Sequence, residues 1–318
     1  MDSPLIIALP SKGRLKEQVE AWLADCALKL EADGGARGYS GRLKGLQGAQ
    51  VRLLSAGDIA EALDTGEVHL GVTGEDLMRE RPGDLSARAL LLRPLGFGRA
   101  DLVVATPKSW LDVATMADLE EVAHDILART GRRIRVATKY ILQTRAFFAR
   151  HGLVDYRIVE SGGATEGAPA AGAAELVVDI TTTGATLEAN GLKVLDDGVI
   201  LKSQAQLAAS LRATWTADQM AAAEALLRQV EARAGARRSV TLTWPDVAGQ
   251  ADAVIKALVA RGASRRPNGL LVAADDVAEA GRALSRAGLG PVTAAQPDFV
   301  FETESPGWTQ LRAALVKN

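Results

Sequence analysis

The sequence contains one cysteine, Cys26, and three histidines in 318 residues. A lone thiol excludes an intrachain disulfide and any multi-cysteine metal site, and with so few histidines no zinc constellation can be assembled; the pattern points to a reduced cytoplasm. Cys26 is expected on the apolar face of a helix as a small hydrophobe. Charge of one sign is also lacking: 37 basic against 39 acidic residues leave a formal net charge of −2. That balance gives no general electrostatic reason to bind nucleic acid or an anionic membrane. Long apolar runs are missing too. The start, MDSPLIIALPSKGRL, has a short one followed by charges, which suits neither a signal peptide nor a membrane span. Partners are therefore sought in pockets.

What is present is an ordinary globular composition, 47% hydrophobic and 24% charged, in a chain too long for one compact core. Two or three domains are expected. The most informative stretch is Glu175 to Leu192, ELVVDITTTGATLEANGL. Leu176-Val177-Val178 has the length and branching of a strand buried on both faces. Asp179 ends it, and Thr181, Thr182, Thr183, Gly184, Ala185 and Thr186 follow before a short helix-compatible segment that stops at Gly191. Such a strand–loop–helix suits a phosphate: first-turn N–H groups point outward, glycine lets the backbone approach, and threonine hydroxyls add donors without bulk. Asp179 could accept from the two hydroxyls of a ribose or hold Mg²⁺ through water. A helix cap by Thr182 or Thr183 with nothing bound is the other reading. The GxxxxGK[ST] lysine of a P-loop is absent.

A second unit of this kind opens the chain. Leu5–Leu9 reads as a buried strand, Pro10-Ser11-Lys12-Gly13-Arg14 as the turn and Val19, Leu23 and Leu30 as the face of the helix after it. Lys12 and Arg14 flank a glycine at the carboxyl end of a strand, where α/β sheets gather ligands; they could meet a polyphosphate or simply face solvent. Asp33–Gly48, with six glycines and Arg37, Arg42 and Lys44, is read as a mobile loop or loose hairpin.

Val51–Leu54, Asp58–Leu63 and His69–Val72 continue a β-α-β rhythm. His69 is expected to be packed. Asp76 is read either as a helix cap or as a ligand contact. Pro94–Gly98 marks a crossing between lobes. Met116–Thr130 has helical spacing, Ile134–Ala137 is a strand, and Thr138 is expected to cap a helix from Lys139 to about His151. That places Lys139 in a first turn, unfavourable for the dipole unless an anion sits opposite. The Gly/Ala/Thr run from Ser161 to Gly172 holds one acid, Glu166. Lys193–Leu195 and Val199–Leu201 are read as strands returning to the first lobe, followed by a helix over about 217–234.

Four of these segments together resemble ATP phosphoribosyltransferase, the first enzyme of histidine biosynthesis: Ala8–Leu15, Gly71–Asp76, Ala137–Tyr140 and Asp179–Leu192. The match runs in order over about residues 5 to 210. The resemblance implies transfer of the phosphoribosyl group of 5-phosphoribosyl 1-diphosphate (PRPP) to N1 of the adenine of ATP, with release of pyrophosphate and a requirement for Mg²⁺. It implies an α/β fold with a two-lobed catalytic core like that of periplasmic binding proteins. Lobe I is taken as residues 1–100 plus 195–215 and lobe II as 101–194.

By that analogy Thr182, Thr183, Gly184, Ala185 and Thr186 hold the 5-phosphate, and Asp179 the ribose hydroxyls with Glu166 nearby. Lys12, Gly13, Arg14, Asp76 and Lys139 face ATP or pyrophosphate. Arg14 and Asp179 are the residues closest to the chemistry, and no protein metal cage is expected. The sequence departs from the family pattern near Ser55–Asp58 and Asp101, where relatives carry arginines; Arg52 and Arg99 are candidates to compensate. It departs again at Ser161–Glu166, where relatives read Asn-Gly-Ser-Val-Glu.

Residues 216–318 are expected to form a further α/β unit. Val240–Trp244, Leu270–Ala273 and Phe299–Glu302 read as strands, and about 247–261, 277–287 and 308–316 as helices. Long-form members carry a ferredoxin-like regulatory domain at this place that binds histidine, but this order of elements is not a clean match to it. The resemblance further implies a homo-oligomer, a hexamer, and feedback by histidine. A non-catalytic two-lobed sensor of sugar phosphates or other anions is the alternative from a different class.

Overall fold

The computed structural model describes residues 3–33, 39–245 and 252–317. The chain runs through β1 (Leu5–Pro10), α1 (Gly13–Asp25), β2 (Lys29–Ala32), β3 (Ser40–Lys44), β4 (Ala49–Leu54), α2 (Ala56–Thr65), β5 (Leu70–Gly74), α3 (Glu75–Arg79) and β6 (Ala89–Pro94). It crosses to β7 (Ala100–Pro107), α4 (Met116–Thr130), β8 (Ile134–Thr138), α5 (Ile141–Arg150), β9 (Tyr156–Glu160), β10 (Leu176–Thr181), α6 (Ala185–Ala189) and β11 (Leu192–Ser203). After β12 (Ala205–Ser210) and α7 (Ala217–Arg237) come β13 (Ser239–Thr243), α8 (Asp252–Ala260), β14 (Ser264–Arg266), β15 (Gly269–Ala273), α9 (Val277–Arg286), β16 (Thr293–Ala295) and α10 (Pro306–Lys317). Among the described residues no helix is long and apolar enough to cross a membrane.

Two mixed sheets form the lobes. The first has the order β2-β3-β4-β1-β5-β12-β6 and the second β11-β7-β10-β8-β9. β1 lies between its parallel partners β4 and β5, so both of its edges are hydrogen-bonded. Leu5, Ile7 and Leu9 join one core cluster and Ala8 another; each buried leucine or isoleucine contributes about 1.5–3 kcal/mol. β10 is placed alike, parallel to β8 and antiparallel to β7, with Leu176, Val177 and Val178 fully buried. Both strands therefore deliver their carboxyl ends to loops without freedom to shift.

Helix boundaries follow local chemistry. The Thr115 hydroxyl and the Asp118 carboxylate form a reciprocal capping box at α4, which ends at Gly131 in the left-handed region. Ser55 accepts from the Asp58 amide to start α2. His69 is packed as expected: Nδ1 accepts from the Ile6 amide at 3.1 Å and Nε2 lies 3.1 Å from the Thr214 carbonyl. Nε2 is thus the donor, and burial holds the imidazole pKa down. Cys26 is buried, and desolvation pushes its thiol up to about 11, so it serves as a small hydrophobe.

The chain passes between the lobes twice, and the two passages bond to each other. Ala205 donates to the Phe97 carbonyl (3.0 Å), Leu95 to the Ala205 carbonyl (2.9 Å) and Gly96 to the Gln204 side chain (3.0 Å). Gly98 has φ +61°, and a Cβ there would sit 3.0 Å from Leu15 and 3.1 Å from Ala205. The return comes one strand later than expected: β11, which holds Lys193–Leu195 and Val199–Leu201, stays paired with β7 in the second sheet, and β12 re-enters the first.

Of the two readings of Asp33–Gly48, a mobile loop or a loose hairpin, the described residues have the hairpin. β3 pairs with both β2 and β4, with Arg42 bound to Glu31 at 2.9 Å; Arg37 lies outside the described residues. The tail matches the ferredoxin-like pattern better than its sequence indicates. β13, α8, β14, β15, α9 and β16 form the β-α-β-β-α-β series, and their antiparallel sheet has the order β14-β15-β13-β16. β14 and β16 have three residues each, all exposed, so neither shows an apolar alternation. Phe299–Glu302 is not a strand: Val300 donates to the Ala232 carbonyl of α7, and Arg233 stacks over the Phe299 ring. The helix expected over 247–261 is α8, and 247–251 lie outside the described residues.

Lobe I also buries a charge. Arg88, 1% exposed, reaches Asp64 at 3.3 Å and the carbonyls of Met78 and Arg81 at 2.9 and 3.0 Å. Asp64 additionally receives Arg81. Removing the carboxylate leaves a buried guanidinium uncompensated. Asp64→Ala is expected to lower stability by about 3–5 kcal/mol, read as a drop in the urea midpoint with little change in slope, whereas Asp64→Asn should lose less.

Candidate active site

The phosphate-type loop begins where β10 ends. The Thr181 hydroxyl accepts from the Gly184 amide (2.8 Å) and the Thr183 hydroxyl from the Ala185 amide (3.4 Å). Gly184, at φ +78°, is the residue before α6, with no side-chain cap; a side chain there is strained for lack of left-handed tolerance. Thr182 donates to the Arg99 carbonyl at 3.1 Å, which ties the loop to the lobe crossing. Thr182, Thr183, Ala185 and Thr186 are exposed. The loop therefore has internal bonds that fix its shape and an outer rim left open to a ligand.

Across from it lies the turn after β1. Lys12 precedes α1 and makes no cap bond, Gly13 has φ +74°, and the first turn contains no acidic residue. Lys12 and Arg14 are exposed and make no ion pair among the described residues. Two unpaired cations at the positive end of a helix dipole repel each other and the dipole, a tension that an anion relieves. Arg14 and Thr182 line one cavity of about 390 Å³, together with Leu15, Gln18 and the crossing residues Gly96–Arg99. The turn of lobe I and the loop of lobe II thus meet at one place, and Arg99 joins them. An adjoining cavity of about 410 Å³ is bounded by Pro10–Gly13 and Leu54–Ala56.

The third group is Asp179, Glu166 and Lys139. Asp179 accepts from the Ile180 amide at 2.8 Å. Burial pushes its carboxyl above the usual range; the Ile180 bond and the Lys139 charge act the other way, while Glu166 adds to the rise. Glu166 sits in a single 3-10 turn, Thr165–Gly167, after Ala164 at φ +49°. Lys139 is placed differently from expectation. Thr138 accepts from the Tyr140 amide, α5 starts only at Ile141, and Lys139 precedes the helix with its Nζ 5.1 Å from the Tyr140 ring centroid.

Asp76 is the other departure. It is 4% exposed, and its carboxylate accepts from the Tyr140 hydroxyl (2.7 Å) and the Ser203 hydroxyl (2.8 Å). Both oxygens are engaged by donors inside the protein, and Asp76 caps no helix through its side chain. The sequence gives no sign of these bonds, because Tyr140 and Ser203 meet Asp76 across 64 and 127 residues of chain. A larger cavity of about 1300 Å³ carries Arg132, Arg133, Arg135, Arg145 and Arg157. It lies at the starts of β8 and β9, the opposite end of that sheet from the loops just described, and shares no residue with them.

Comparison with known proteins decides the family. The family model described as ATP phosphoribosyltransferase matches residues 55–232. A protein of Caulobacter vibrioides (strain NA1000 / CB15N) named ATP phosphoribosyltransferase is 68% identical over 318 residues, covering 99% of each chain. This chain belongs to the ATP phosphoribosyltransferase family. A protein of that name from Rhodopseudomonas palustris (strain HaA2) is 47% identical over 328 residues, again covering 99% of both. Among solved structures, the ATP phosphoribosyl transferase (HisG:HisZ) complex from Thermotoga maritima matches with a TM-score of 0.53 and 23% identity; 71% of this chain covers 98% of that one. At that identity the likeness speaks for the fold. With its third sheet the chain is an ATP phosphoribosyltransferase of the long form.

In an ATP phosphoribosyltransferase a raised carboxyl such as Asp179 carries a consequence for stability. A folded-state pKa above the unfolded value contributes stability below the unfolded pKa, and this is lost as pH rises through the folded value. Asp179→Asn is therefore expected to raise the denaturation midpoint at pH 7. The gain should shrink as pH falls below the carboxyl's raised pKa, measured by urea titrations at both ends of that range.

Proposed function

We propose that this enzyme joins C1 of PRPP to N1 of the adenine ring of ATP through the residues gathered at the interlobe cleft. The observation that carries the reading is the shared cavity of Arg14 and Thr182, which sets a cation turn against a phosphate-type loop. Thr182–Thr186 bind the 5-phosphate through hydroxyls and backbone amides. Asp179 accepts from the ribose hydroxyls, with Glu166 beside it, and Lys12, Arg14 and Lys139 face the diphosphate and the triphosphate.

The step needs alignment more than acid–base chemistry. The N1 lone pair forms the new bond to C1 while the bond from C1 to the diphosphate oxygen breaks, and its electron pair leaves with the diphosphate. Positive charge develops on the ribose, so Asp179 stabilises it at close range while Lys12 and Arg14 neutralise the departing anion. N1 of a neutral adenine already carries its lone pair, so no general base is assigned.

Among the described residues no group of three or more His, Cys, Asp or Glu is arranged to hold a metal. Asp179 and Glu166, close enough for one to shift the other, fit the role of one or two carboxylates beside a Mg²⁺ whose other ligands are substrate oxygens and water. Such an ion supplies charge neutralisation of the diphosphate. The ferredoxin-like third unit, within residues 216–318, supports histidine as its feedback ligand, and the family resemblance supports a homo-oligomeric, hexameric assembly in the cytoplasm. The anion-sensor alternative is set aside, since nothing in the site favours binding without turnover.

The test is product formation by the purified chain with ATP, PRPP and Mg²⁺, followed by pyrophosphate release, with and without histidine. Thr183→Ala with Thr186→Ala is expected to raise KM for PRPP at least about tenfold, the equivalent of one lost charge-assisted hydrogen bond. An unchanged PRPP affinity would show that the 5-phosphate lies elsewhere.

A further inference from the structure

The start of α5 is capped from the other lobe. Its own preceding residue, Tyr140, makes no side-chain cap. Instead Glu80, at the end of α3, accepts from the Leu142 amide at 2.7 Å and from the Gln143 amide at 3.2 Å. The Gln143 side chain bridges back, donating to the Asp76 carbonyl (2.9 Å) and to Glu80 (3.3 Å). One residue earlier, the Tyr140 hydroxyl donates to the Asp76 carboxylate, which also holds Ser203 at the lobe crossing. Tyr140 is 1% exposed, and burial followed by the Asp76 charge drives its pKa far up, so it remains a donor.

These bonds converge on the two-residue turn between β8 and α5, Lys139 and Tyr140, and on the first turn of the helix; of the two residues Tyr140 is buried and Lys139 is exposed, its charge felt by the Asp179 carboxyl. A carboxylate accepting two first-turn amides both satisfies orphan donors and opposes the helix dipole. A movement that draws α5 away from α3 breaks this set.

We propose that Glu80, Asp76 and Tyr140 are positioning residues for phosphoribosyl transfer: they lock the β8–α5 turn of lobe II onto α3 of lobe I and so hold Lys139 beside the Asp179 carboxylate. This role rests on the reading of Lys139 as a substrate-facing cation given above. It acts through placement and needs no contact between the three residues and substrate.

Two measurements on the full chain test it. Hydrogen exchange at Leu142 and Gln143 reads the cap directly: Glu80→Ala should lower protection of these amides at least about tenfold, with Glu80→Gln intermediate. Kinetics read its purpose. Glu80→Ala and Lys139→Ala should each raise KM for PRPP about tenfold, and the double variant should match Lys139→Ala alone, since the effect of Glu80 passes through that lysine. Tyr140→Phe, which removes only a hydroxyl, should move KM in the same direction.

Unchanged protection in Glu80→Ala would overturn the clamp. Multiplying kinetic effects in the double variant would overturn the positioning role while leaving the active-site reading intact. A normal KM in Lys139→Ala would overturn both the placement of that lysine and the proposal. A wild-type chain with protected amides and no turnover would remove the transfer itself, and the positioning role with it.

Discussion

The structure depends on one constraint, the double passage between lobes. Residues 95–99 and 204–205 run side by side and hydrogen-bond to each other, so the two connections form one joined crossing. Gly98 is what permits the packing, since its φ is positive and a Cβ would press on Leu15 of α1 and on Ala205. The same crossing supplies the Arg99 carbonyl that anchors Thr182. A site divided between two lobes thus has its halves set from a common hinge. The cost of orientation is met in folding and not at each turnover, which is the condition for catalysis by alignment.

The electrostatics of the cleft follow from where cations are paired and where they are not. Elsewhere arginines find carboxylates: Arg88 with Asp64, Arg135 with Glu175, Arg233 and Arg237 with Asp25. Asp25 is held below the usual carboxylate range by Arg233, against the opposing effect of its own desolvation. Lys12, Arg14 and Lys139 make no such pair among the described residues. Unpaired cations at the interlobe cleft give a near-neutral protein a local field for polyanions there. That is why a net charge that gives no general reason to bind nucleic acid says nothing against nucleotides.

Much of this was legible because it rests on local chemistry. β1 and β10 are short branched apolar runs, and α4 and α7 follow from apolar spacing within one segment. The phosphate-type loop and the turn after β1 were readable for the same reason. What was hidden depends on distant partners: Tyr140 meets Asp76 64 residues away, and Glu80 meets Leu142 62 residues away. A capping signal at Thr138 set α5 too early, because the real cap comes in trans. The exposed three-residue strands of the third sheet lacked any period to read, and two prominent phenylalanines drew the strand assignment to a segment that lies on α7.

The third sheet is joined to the cleft through α7. Ala223, Leu226, Leu227 and Val230 of α7 and Leu311 of α10 belong to the same core as Leu5, Ile7 and Leu9 of β1. Immediately beyond α7 begins β13, while the Ala274 amide donates to the Arg238 carbonyl between them, so the helix and the third sheet share an end. Interiors at crystal-like density transmit displacement and do not absorb it. α7 packs on β1, and β1 ends at Pro10, two residues before Lys12. The cation turn is therefore the part of the site that follows directly from the strand α7 covers. The phosphate-type loop, on the second sheet, reaches α7 only through the crossing.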